Sequence, residues 1–277
     1  MPELHSRETG GAMGFDEGRK TVGLYTAAVL RREQVTPHMV RVTIGGEDLA
    51  RLPHRGYDHW FRLFLPRPDG ETDFAGLPDR FTMKAYLRYM AADAERRPPF
   101  RNYTIREHRP EAAELDIDFV AHGDEGVAGA WAQRAEAGER VAFIDQGRGF
   151  DPMGDGEVVL VGDESALPAI VGILRDLPRD AAGVAILEIP SAEDAQPVDA
   201  PVGVDVRWLP RADPHARPGE VALEALRAFV PAAPHRAQAY IAGEQRLAAE
   251  GRRHLVAAGV PKGRIVFTGY WRYGKAS

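Results

Sequence analysis

The sequence contains no cysteine among its 277 residues. Disulfides, thiolate zinc sites, cysteine-ligated iron–sulfur clusters and a cysteine nucleophile are therefore excluded. A chain of this kind can carry out redox chemistry only with a bound cofactor. The nine histidines show no HxxxH or HExxH spacing, and pairs such as His54 with His59 or His215 with His235 are weak ligand candidates. We therefore expect no metal site formed by the protein itself.

The sequence also lacks an excess of basic residues and a long apolar run. Its formal net charge is −6 and its pI is about 5.9, which argues against nucleic-acid binding. No segment approaches the ~20 apolar residues that span a bilayer. Residues 1–20 are polar and glycine-rich and lack the apolar segment of a signal peptide, so they predict a disordered tail. We expect a soluble, monomeric cytoplasmic protein with no nucleic-acid or membrane partner.

Residues 21–152 are dominated by strand patterns. TVGLYTAAVLRREQVTPHMVRVTIGG predicts two strands around a turn at Thr36–Pro37, and HWFRLFLP predicts a third that ends at Pro66. A short helix is expected near AYLRYMAADAERR and another over Gly126–Ala137. Successive strands with few helices are typical of a small antiparallel barrel. Further strands are predicted over residues 101–106, 114–122 and 139–145.

Residues 153–277 follow a different pattern, after a boundary at GRGFDPMGDGE. Apolar strands such as EVVLVGD and QAYIAGE alternate with helical segments, which predicts a parallel sheet covered on both faces. Ligands of such sheets bind beyond the carboxyl ends of the strands. Here those ends are Gly162-Asp163-Glu164, Glu188-Ile189-Pro190 and Gly243-Glu244. The barrel is expected to face them across a cleft.

The hexapeptide RNYTIR, residues 101–106, is the most unusual strand candidate. Alternation places Arg101, Tyr103 and Ile105 on one face and the other three residues on the opposite face. Both arginines therefore cannot reach one phosphate unless the strand twists or bulges. Taken alone, the hexapeptide is more simply interpreted as an exposed amphipathic edge strand with solvated arginines.

Five motifs in order give the sequence a specific resemblance. They are RNYTIR, DFVAHGDEGVAGAW (118–131), GDESALPAI (162–170), IAGE (241–244) and GYWRYG (269–274). With them, the chain from Val22 to Gly274 resembles the siderophore-interacting proteins, flavin-dependent ferric-siderophore reductases of the ferredoxin-reductase-like superfamily. The resemblance implies an N-terminal antiparallel flavin-binding β-barrel followed by a C-terminal parallel-sheet, nicotinamide-binding α/β domain.

The resemblance also implies an FAD site on two segments. Tyr103 would stack on the isoalloxazine, Thr104 would bond to its polar edge, and Arg101, more than Arg106, would bind the pyrophosphate. The second segment is a strand end and the start of the next helix, where glycines and a helix amino terminus favour phosphate. The alternative to a phosphate contact for His122 is a hydrogen bond to the backbone at the end of the strand. Its expected contacts are Asp118, Phe119, Val120, His122, Gly123, Gly126, Ala128 and Trp131.

GDESALPAI and IAGE would bind a nicotinamide nucleotide. The first motif is not a G-x-G-x-x-G fingerprint, and a capping turn with two exposed acids is a fair alternative. No arginine is apparent near Glu188 to bind a 2′-phosphate, which favours NADH, but NADPH and a ferredoxin remain open as donors. The implied contacts are Gly162, Asp163, Glu164, Ser165, Gly243 and Glu244.

GYWRYG would close over the flavin, with Tyr270 and Trp271 as walls. The alternative is a terminal strand anchored by its aromatic residues. The family binds its acidic substrate through basic residues, and the matching positions are Arg62, Arg148 and Arg272. The segment QGRGF departs from the family pattern, so the direction of Arg148 is open. Each arginine could instead be a solvated surface charge.

The implied function is reduction of a ferric siderophore with release of Fe(II) in the cytoplasm. NAD(P)H, or a ferredoxin, would supply electrons through FAD, by hydride and then single-electron transfers. Iron arrives in the substrate, and no side chain is expected to act as a catalytic acid or base. Two alternatives are a general flavin NAD(P)H reductase with another acceptor and a non-enzymatic siderophore-binding protein.

Overall fold

The computed structural model describes residues 23–67, 72–80, 82–91, 93, 95–121, 127–154, 156–213 and 216–274. The expected tail over residues 1–20 lies outside this part of the chain. The first half forms a seven-stranded sheet with the order β4-β3-β7-β1-β2-β6-β5, in which neighbouring strands are antiparallel. Its strands are β1 (Leu24–Thr36), β2 (Met39–Gly45), β3 (Trp60–Phe64), β4 (Phe100–Thr104), β5 (Glu107–Arg109), β6 (Glu114–Val120) and β7 (Arg140–Gly147).

Two helices belong to this half, α1 (Met83–Ala91) and α2 (Val127–Arg134). Strand β6 shows how the sequence forms the sheet. Its side chains alternate, so that Leu115, Ile117 and Phe119 lie in the hydrophobic core, whereas Asp116 and Asp118 bind arginines. One face of the strand therefore supplies the core and the other a row of ion pairs.

The second half is a five-stranded parallel sheet with the order β10-β9-β8-β11-β12. Its central strands β8, β9 and β11 are mostly apolar because helices cover both faces: α3 packs on one face, and α4 and α5 pack on the other. The elements are β8 (Val158–Gly162), α3 (Leu167–Asp176), β9 (Ala182–Ile189), β10 (Gly203–Pro210), α4 (Glu220–Ala228), β11 (Gln238–Glu244), α5 (Gln245–Ala257) and β12 (Ile265–Trp271). Short 3₁₀ turns occur at Glu47–Arg51, Pro110–Ala112, Ala192–Asp194 and Lys262–Arg264.

Buried polar contacts join the two sheets. The buried carboxylate of Asp194, which follows β9, accepts hydrogen bonds from the Thr36 hydroxyl at 2.7 Å and from the His38 backbone N–H at 2.9 Å. The tip of the β1–β2 hairpin is thereby fixed to the parallel-sheet half. On another side, the Asp176 carboxylate at the end of α3 accepts from the Tyr57 N–H. The two halves of the chain are thus joined at two separate places, after β9 and at the end of α3.

The predicted fold class, an antiparallel sheet followed by a parallel α/β sheet, is confirmed. Two details differ from the sequence patterns. Strand β5 was not predicted, because its three residues are polar. RNYTIR is not strand throughout, because β4 ends at Thr104 and the chain turns before Arg106.

Candidate functional site

Strand β4 lies at one end of the antiparallel sheet and pairs with β3. Among the described strands, β3 is the one that pairs with β4, so the opposite edge of β4 has no strand hydrogen-bonded to it. An edge strand presents backbone donors and acceptors as well as side chains to a ligand. The paired residues are Trp60 with Thr104, Phe61 with Tyr103, Arg62 with Asn102, and Leu63 with Arg101.

Tyr103 is half-buried and rests on an aromatic layer of the core. Its ring lies 4.3 Å from that of Phe119 at an interplanar angle of 46°, and Phe119 in turn meets Trp131 edge-on at 5.5 Å. Burial raises the pKa of the Tyr103 hydroxyl. Phe119 and Trp131 are almost fully buried behind Tyr103, so they position this ring from the core side.

Two arginines lie along β3 and β4. Arg62 is only 6% exposed, and its Nε donates to Asn102 Oδ1 at 3.3 Å while the guanidinium lies 5.1 Å from the centre of the Phe100 ring. Burial lowers the pKa of Arg62 to about 10. Arg101 is half-buried and donates to the Phe100 carbonyl at 2.8 Å. Arg62 is therefore not a solvated surface charge, and a buried cation beside an edge strand is suited to binding an anion.

Arg106 has a different environment from Arg101. Its guanidinium lies 3.3 Å from Asp118, a carboxylate that also receives two hydrogen bonds from Arg41, at 2.6 and 2.9 Å. The Arg106 carbonyl accepts from Arg175 at 3.1 Å. Asp118 and Arg106 thus belong to an ion-pair cluster within the fold, and the twist or bulge that would aim both arginines at one phosphate is absent because β4 ends first.

The first turn of α2 contains no acidic residue. Ala128 is buried there, and the helix lies so close to β6 that a Cβ added at Gly129 would come within 3.0 Å of the Val120 carbonyl. A helix amino terminus is favourable for an anion, and the nearest preceding acids in the sequence, Asp124 and Glu125, lie outside the described residues. The expected phosphate contacts His122, Gly123 and Gly126 lie outside the described residues.

Asp163 occupies the carboxyl end of β8. Its buried carboxylate accepts from Ser165 N–H at 2.9 Å, Ser165 Oγ at 2.5 Å, Glu244 N–H at 2.6 Å and Trp271 Nε1 at 3.1 Å. Gly243, with φ at +121°, makes room for it, since a Cβ there would lie 2.6 Å from the carboxylate. Burial and the neighbouring Glu164 raise the pKa of Asp163 to about 7.

Glu164 and Glu188 share one buried arginine. Arg211, directly after β10, donates to both oxygens of Glu164 at 2.7 and 2.8 Å and to Glu188 at 3.0 Å. Glu188 also accepts from the backbone of Gly219 and Ala222 at the start of α4. The sequence interpretation missed Arg211, and the statement that no arginine lies near Glu188 is wrong. The arginine is, however, already bonded to two carboxylates.

Glu244 caps the start of α5, as Glu188 caps the start of α4. It accepts from the Arg246 N–H at 2.6 Å, from Arg217 at 2.7 Å and from the Tyr273 N–H at 3.2 Å. Burial alone would raise the pKa of Glu244, but these donors hold it below its usual value. The expected alternative of two exposed acids is wrong for Asp163 and Glu164, which are 1% and 2% exposed, and Glu244 is as deeply buried at 1%. Gly162 also lies here, where a Cβ would collide with Ala166.

Tyr270 connects this region to β4. Its hydroxyl lies 2.7 Å from that of Tyr240. Burial raises the pKa of both phenols. Thr104 lies close enough to Tyr270 to lower the pKa of its hydroxyl, and Asp58 lies close enough to Tyr240 to raise the pKa of that phenol. GYWRYG therefore does form the last strand of the parallel sheet, and it also contacts RNYTIR through a side chain.

The remaining two arginines occupy separate places. The guanidinium of Arg148 lies 4.8 Å from the centre of the Tyr57 ring, donates to the Arg55 carbonyl at 2.9 Å and pairs with Asp151 at 2.6 Å. Arg272 is exposed just after β12. Within the described ranges, no cluster of three or more metal-ligating side chains is found, and no helix is long and apolar enough to cross a membrane.

The two sheets and their order match those of ferredoxin-reductase-like flavoproteins. A ferredoxin reductase of a carbazole 1,9a-dioxygenase system superposes with a TM-score of 0.63 over 90% of this chain and 70% of that chain, at 15% identity, which shows the fold alone. A siderophore utilization protein from T. fusca superposes with a TM-score of 0.75 at 31% identity, over 92% of this chain and 96% of that chain.

Residues 28–149 match the siderophore-interacting FAD-binding domain, and residues 156–274 match the siderophore-interacting protein model. The ferric vibriobactin reductase ViuB of Vibrio cholerae is 31% identical over 89% of this chain and 88% of its own length. The NADPH-dependent ferric-chelate reductase of Escherichia coli is 31% identical over 65% of this chain and 69% of its own length. The chain therefore belongs to the siderophore-interacting protein family.

Proposed function

We propose that this chain is an FAD-dependent reductase that releases iron from a ferric siderophore in the cytoplasm. The observation that carries the proposal is the position of the Tyr270 hydroxyl, which lies 2.7 Å from that of Tyr240 and beside Thr104 of β4. It brings GYWRYG, at the end of the parallel sheet, to the strand proposed to hold the flavin. The proposed electron-donor site on the parallel sheet and the proposed flavin site on the antiparallel sheet are then adjacent, as electron transfer between them requires.

The described residues fit FAD. Tyr103 offers a half-buried ring supported by the core, Thr104 a hydroxyl, and Arg101 a guanidinium on the same edge strand. The first turn of α2 adds backbone donors with no acidic side chain among them. When bound, FAD supplies the conversion between a two-electron donor and a one-electron acceptor. The protein would bind, orient and shield it.

The other proposed FAD contacts play supporting parts. Phe119, Val120, Ala128 and Trp131 shape the strand and helix beside the cofactor, and Asp118 holds Arg106 and Arg41. His122, Gly123 and Gly126 are proposed as phosphate contacts on the family pattern. Arg62, Arg148 and Arg272 are proposed to attract the anionic chelate, with Arg62 the nearest to β4 through its pairing with Asn102.

For the electron donor, we propose a nicotinamide nucleotide at the carboxyl edge of the parallel sheet, with a ferredoxin as the alternative. The residues proposed to shape this edge are Gly162, Asp163, Glu164, Ser165, Gly243, Glu244 and Trp271. The relative from Escherichia coli is named for NADPH. Because Arg211 is bonded to Glu164 and Glu188, it is not available to a 2′-phosphate without breaking a buried ion pair.

The test should not depend on the donor. The FAD-loaded protein is reduced with light under anaerobic conditions and mixed with ferric siderophores, while flavin absorbance and trapped Fe(II) are recorded. Flavin reoxidation with Fe(II) release supports the proposal, and Arg62→Met should slow it whereas Arg207→Met, an exposed arginine on β10, should not. Reoxidation by ferricyanide but by no ferric siderophore would support a general flavin reductase. Siderophore binding without flavin binding would indicate a carrier.

A further inference from the structure

Helix α1, Met83–Ala91, has two faces of different character. Its inner face packs into a small core: Tyr89 is buried beside Phe64, its hydroxyl donates to the Pro98 carbonyl at 2.6 Å, and Tyr86 is partly buried in the same cluster. These contacts fix the helix to the outside of the antiparallel sheet. The orientation of its outer face is thereby also fixed.

The outer face exposes three large apolar side chains. Met83, Leu87 and Met90 are 52%, 61% and 46% exposed. Their spacing of four and three residues places them on one side of the helix, so they form a single stripe. Of the large apolar side chains exposed in the described part of the chain, no other three lie within one helix. Clustered exposure of this kind marks an interaction surface.

Positive charge borders the stripe. Lys84 and Arg88 are exposed one position after Met83 and Leu87, so both lie along the same edge of the stripe, and Arg80 is exposed just before the helix. Residues 80–91 contain these three basic residues and no acidic residue, and acidic residues resume only at Asp93. This local charge is opposite to the net charge of −6 of the whole chain.

We propose that the outer face of α1, defined by Met83, Lys84, Leu87, Arg88 and Met90, docks on an anionic lipid surface. The surface is a convex helix rather than a groove, and a fluid lipid interface accommodates a convex apolar stripe whereas a protein partner would need a matching concavity. The stripe enters the acyl boundary, and the basic border stays at the headgroups. Since the rest of the chain is acidic, the basic border also orients the protein on the membrane.

This surface departs from the sequence-based expectation of no membrane partner. It does not require a spanning helix, because α1 would lie on the bilayer rather than cross it. A reductase held at a lipid surface would meet chelates that partition into or cross the membrane. The docking itself is independent of the reductase proposal, since it concerns a different face of the molecule.

The test is co-sedimentation of the full-length, FAD-loaded protein with vesicles. Vesicles of phosphatidylcholine with phosphatidylglycerol are compared with phosphatidylcholine alone, at low and high salt. We expect binding to the anionic vesicles that salt weakens. Leu87→Glu should reduce it about tenfold or more, since it removes an inserted side chain and adds a repelled charge. Lys84→Glu should reduce it in the same direction.

Val202→Glu is the matched control, because Val202 is fully exposed on the other half of the chain. It should leave vesicle binding unchanged, and thermal melts should show that all variants are folded. Absence of wild-type binding, or binding that Leu87→Glu and Lys84→Glu leave intact, would overturn the proposal. A wild-type dimer that Leu87→Glu converts to a monomer, without vesicle binding, would assign the stripe to self-association instead and would also overturn it.

Discussion

The outer strand of the antiparallel sheet and the carboxyl edge of the parallel sheet both carry residues proposed to bind a nucleotide, but their polar groups are used differently. At the carboxyl edge, Asp163, Glu164, Glu188 and Glu244 are buried, and each accepts hydrogen bonds from the protein. Beside β4, the side chains of Arg101 and Tyr103 are half-buried, and the nearby helix α2 begins without an acid.

The two regions differ in whether the protein itself satisfies the hydrogen-bonding groups of the proposed binding site. At the carboxyl edge, carboxylates accept hydrogen bonds from backbone N–H groups at the starts of α4 and α5. The protein itself therefore satisfies donors that could otherwise bind phosphate. At β4, we propose that FAD completes the contacts of the half-buried side chains of Arg101 and Tyr103. We therefore expect mutations at the carboxyl edge to affect folding most, and mutations at β4 to affect flavin binding most.

The largest expected effect is at Arg211. Arg211→Met leaves Glu164 and Glu188 buried without a counter-charge, which should lower the free energy of unfolding by about 3–5 kcal/mol. Urea unfolding measures the change. Arg207→Met, on the preceding strand β10, removes an exposed pair with Asp205 and should cost less than about 1 kcal/mol. Equal effects of the two changes would contradict a dominant role for the buried cluster.

Next in size is the contrast between the two arginines of RNYTIR. Arg101→Ala should weaken FAD binding about 10- to 100-fold, because a charge-assisted hydrogen bond to phosphate contributes about 1.5–3 kcal/mol. Arg106→Ala should instead lower stability, since it removes a partner of buried Asp118. FAD titration followed by fluorescence, with thermal melts of the apoprotein, separates the two outcomes. The reverse assignment would place the pyrophosphate near Arg106.

Asp163 gives a smaller, pH-dependent effect. Its pKa in the folded protein, raised to about 7, lies above that of an unfolded aspartate, so the folded state holds the proton more tightly. Its contribution to stability is present in acid and is lost as the pH rises from about 4 through about 7. Between pH 6 and 8 this loss should be about 1–2 kcal/mol.

Asp163→Asn tests this contribution through its pH profile. The variant should be less stable at every pH, because an amide N–H₂ would oppose at least one of the four donors. Its stability should nevertheless fall less steeply over this pH window than that of the wild type. Urea unfolding of both proteins at several pH values gives the slopes, and parallel profiles would show that Asp163 does not titrate there.

The smallest effect is at the junction of the two regions. Tyr270→Phe removes the hydroxyl that lies 2.7 Å from that of Tyr240 while keeping the ring, and should cost about 1 kcal/mol of stability. Tyr273→Phe, three residues later and half-exposed, should have little effect on the same urea unfolding curve. A Tyr270→Phe variant as stable as the wild type would show that the phenol contacts contribute nothing measurable.

Much of the fold follows from local patterns in the sequence. The alternation of acids and apolar residues in ELDIDFV predicts β6, and apolar runs such as VVLVG predict buried parallel strands. The five motifs point to the family because each is a contiguous segment. Strand β5 does not follow from its residues, since Glu107–Arg109 is polar and is held by its pairing with β6.

The contacts of the candidate site are less predictable because they join distant segments. Arg211 meets Glu164 and Glu188 across 47 and 23 residues, so no local spacing signals the cluster. The sequence offers one signal for this cluster. An arginine directly follows one predicted strand, and acidic residues lie at the carboxyl ends of two other predicted strands. The exposed apolar stripe of α1 could not be predicted from the sequence either, because helical periodicity does not show which face of the helix packs on the core.

The most direct test of the account is the flavin content of the purified chain. The protein is incubated with FAD, desalted, and its visible spectrum is compared with its protein concentration. We predict retained flavin absorbance equivalent to one FAD per chain, and a clear loss of it in Arg101→Ala but not in Arg207→Met. A wild-type protein that retains no flavin would contradict the assignment of β4 as a flavin-binding strand and the reductase function built on it.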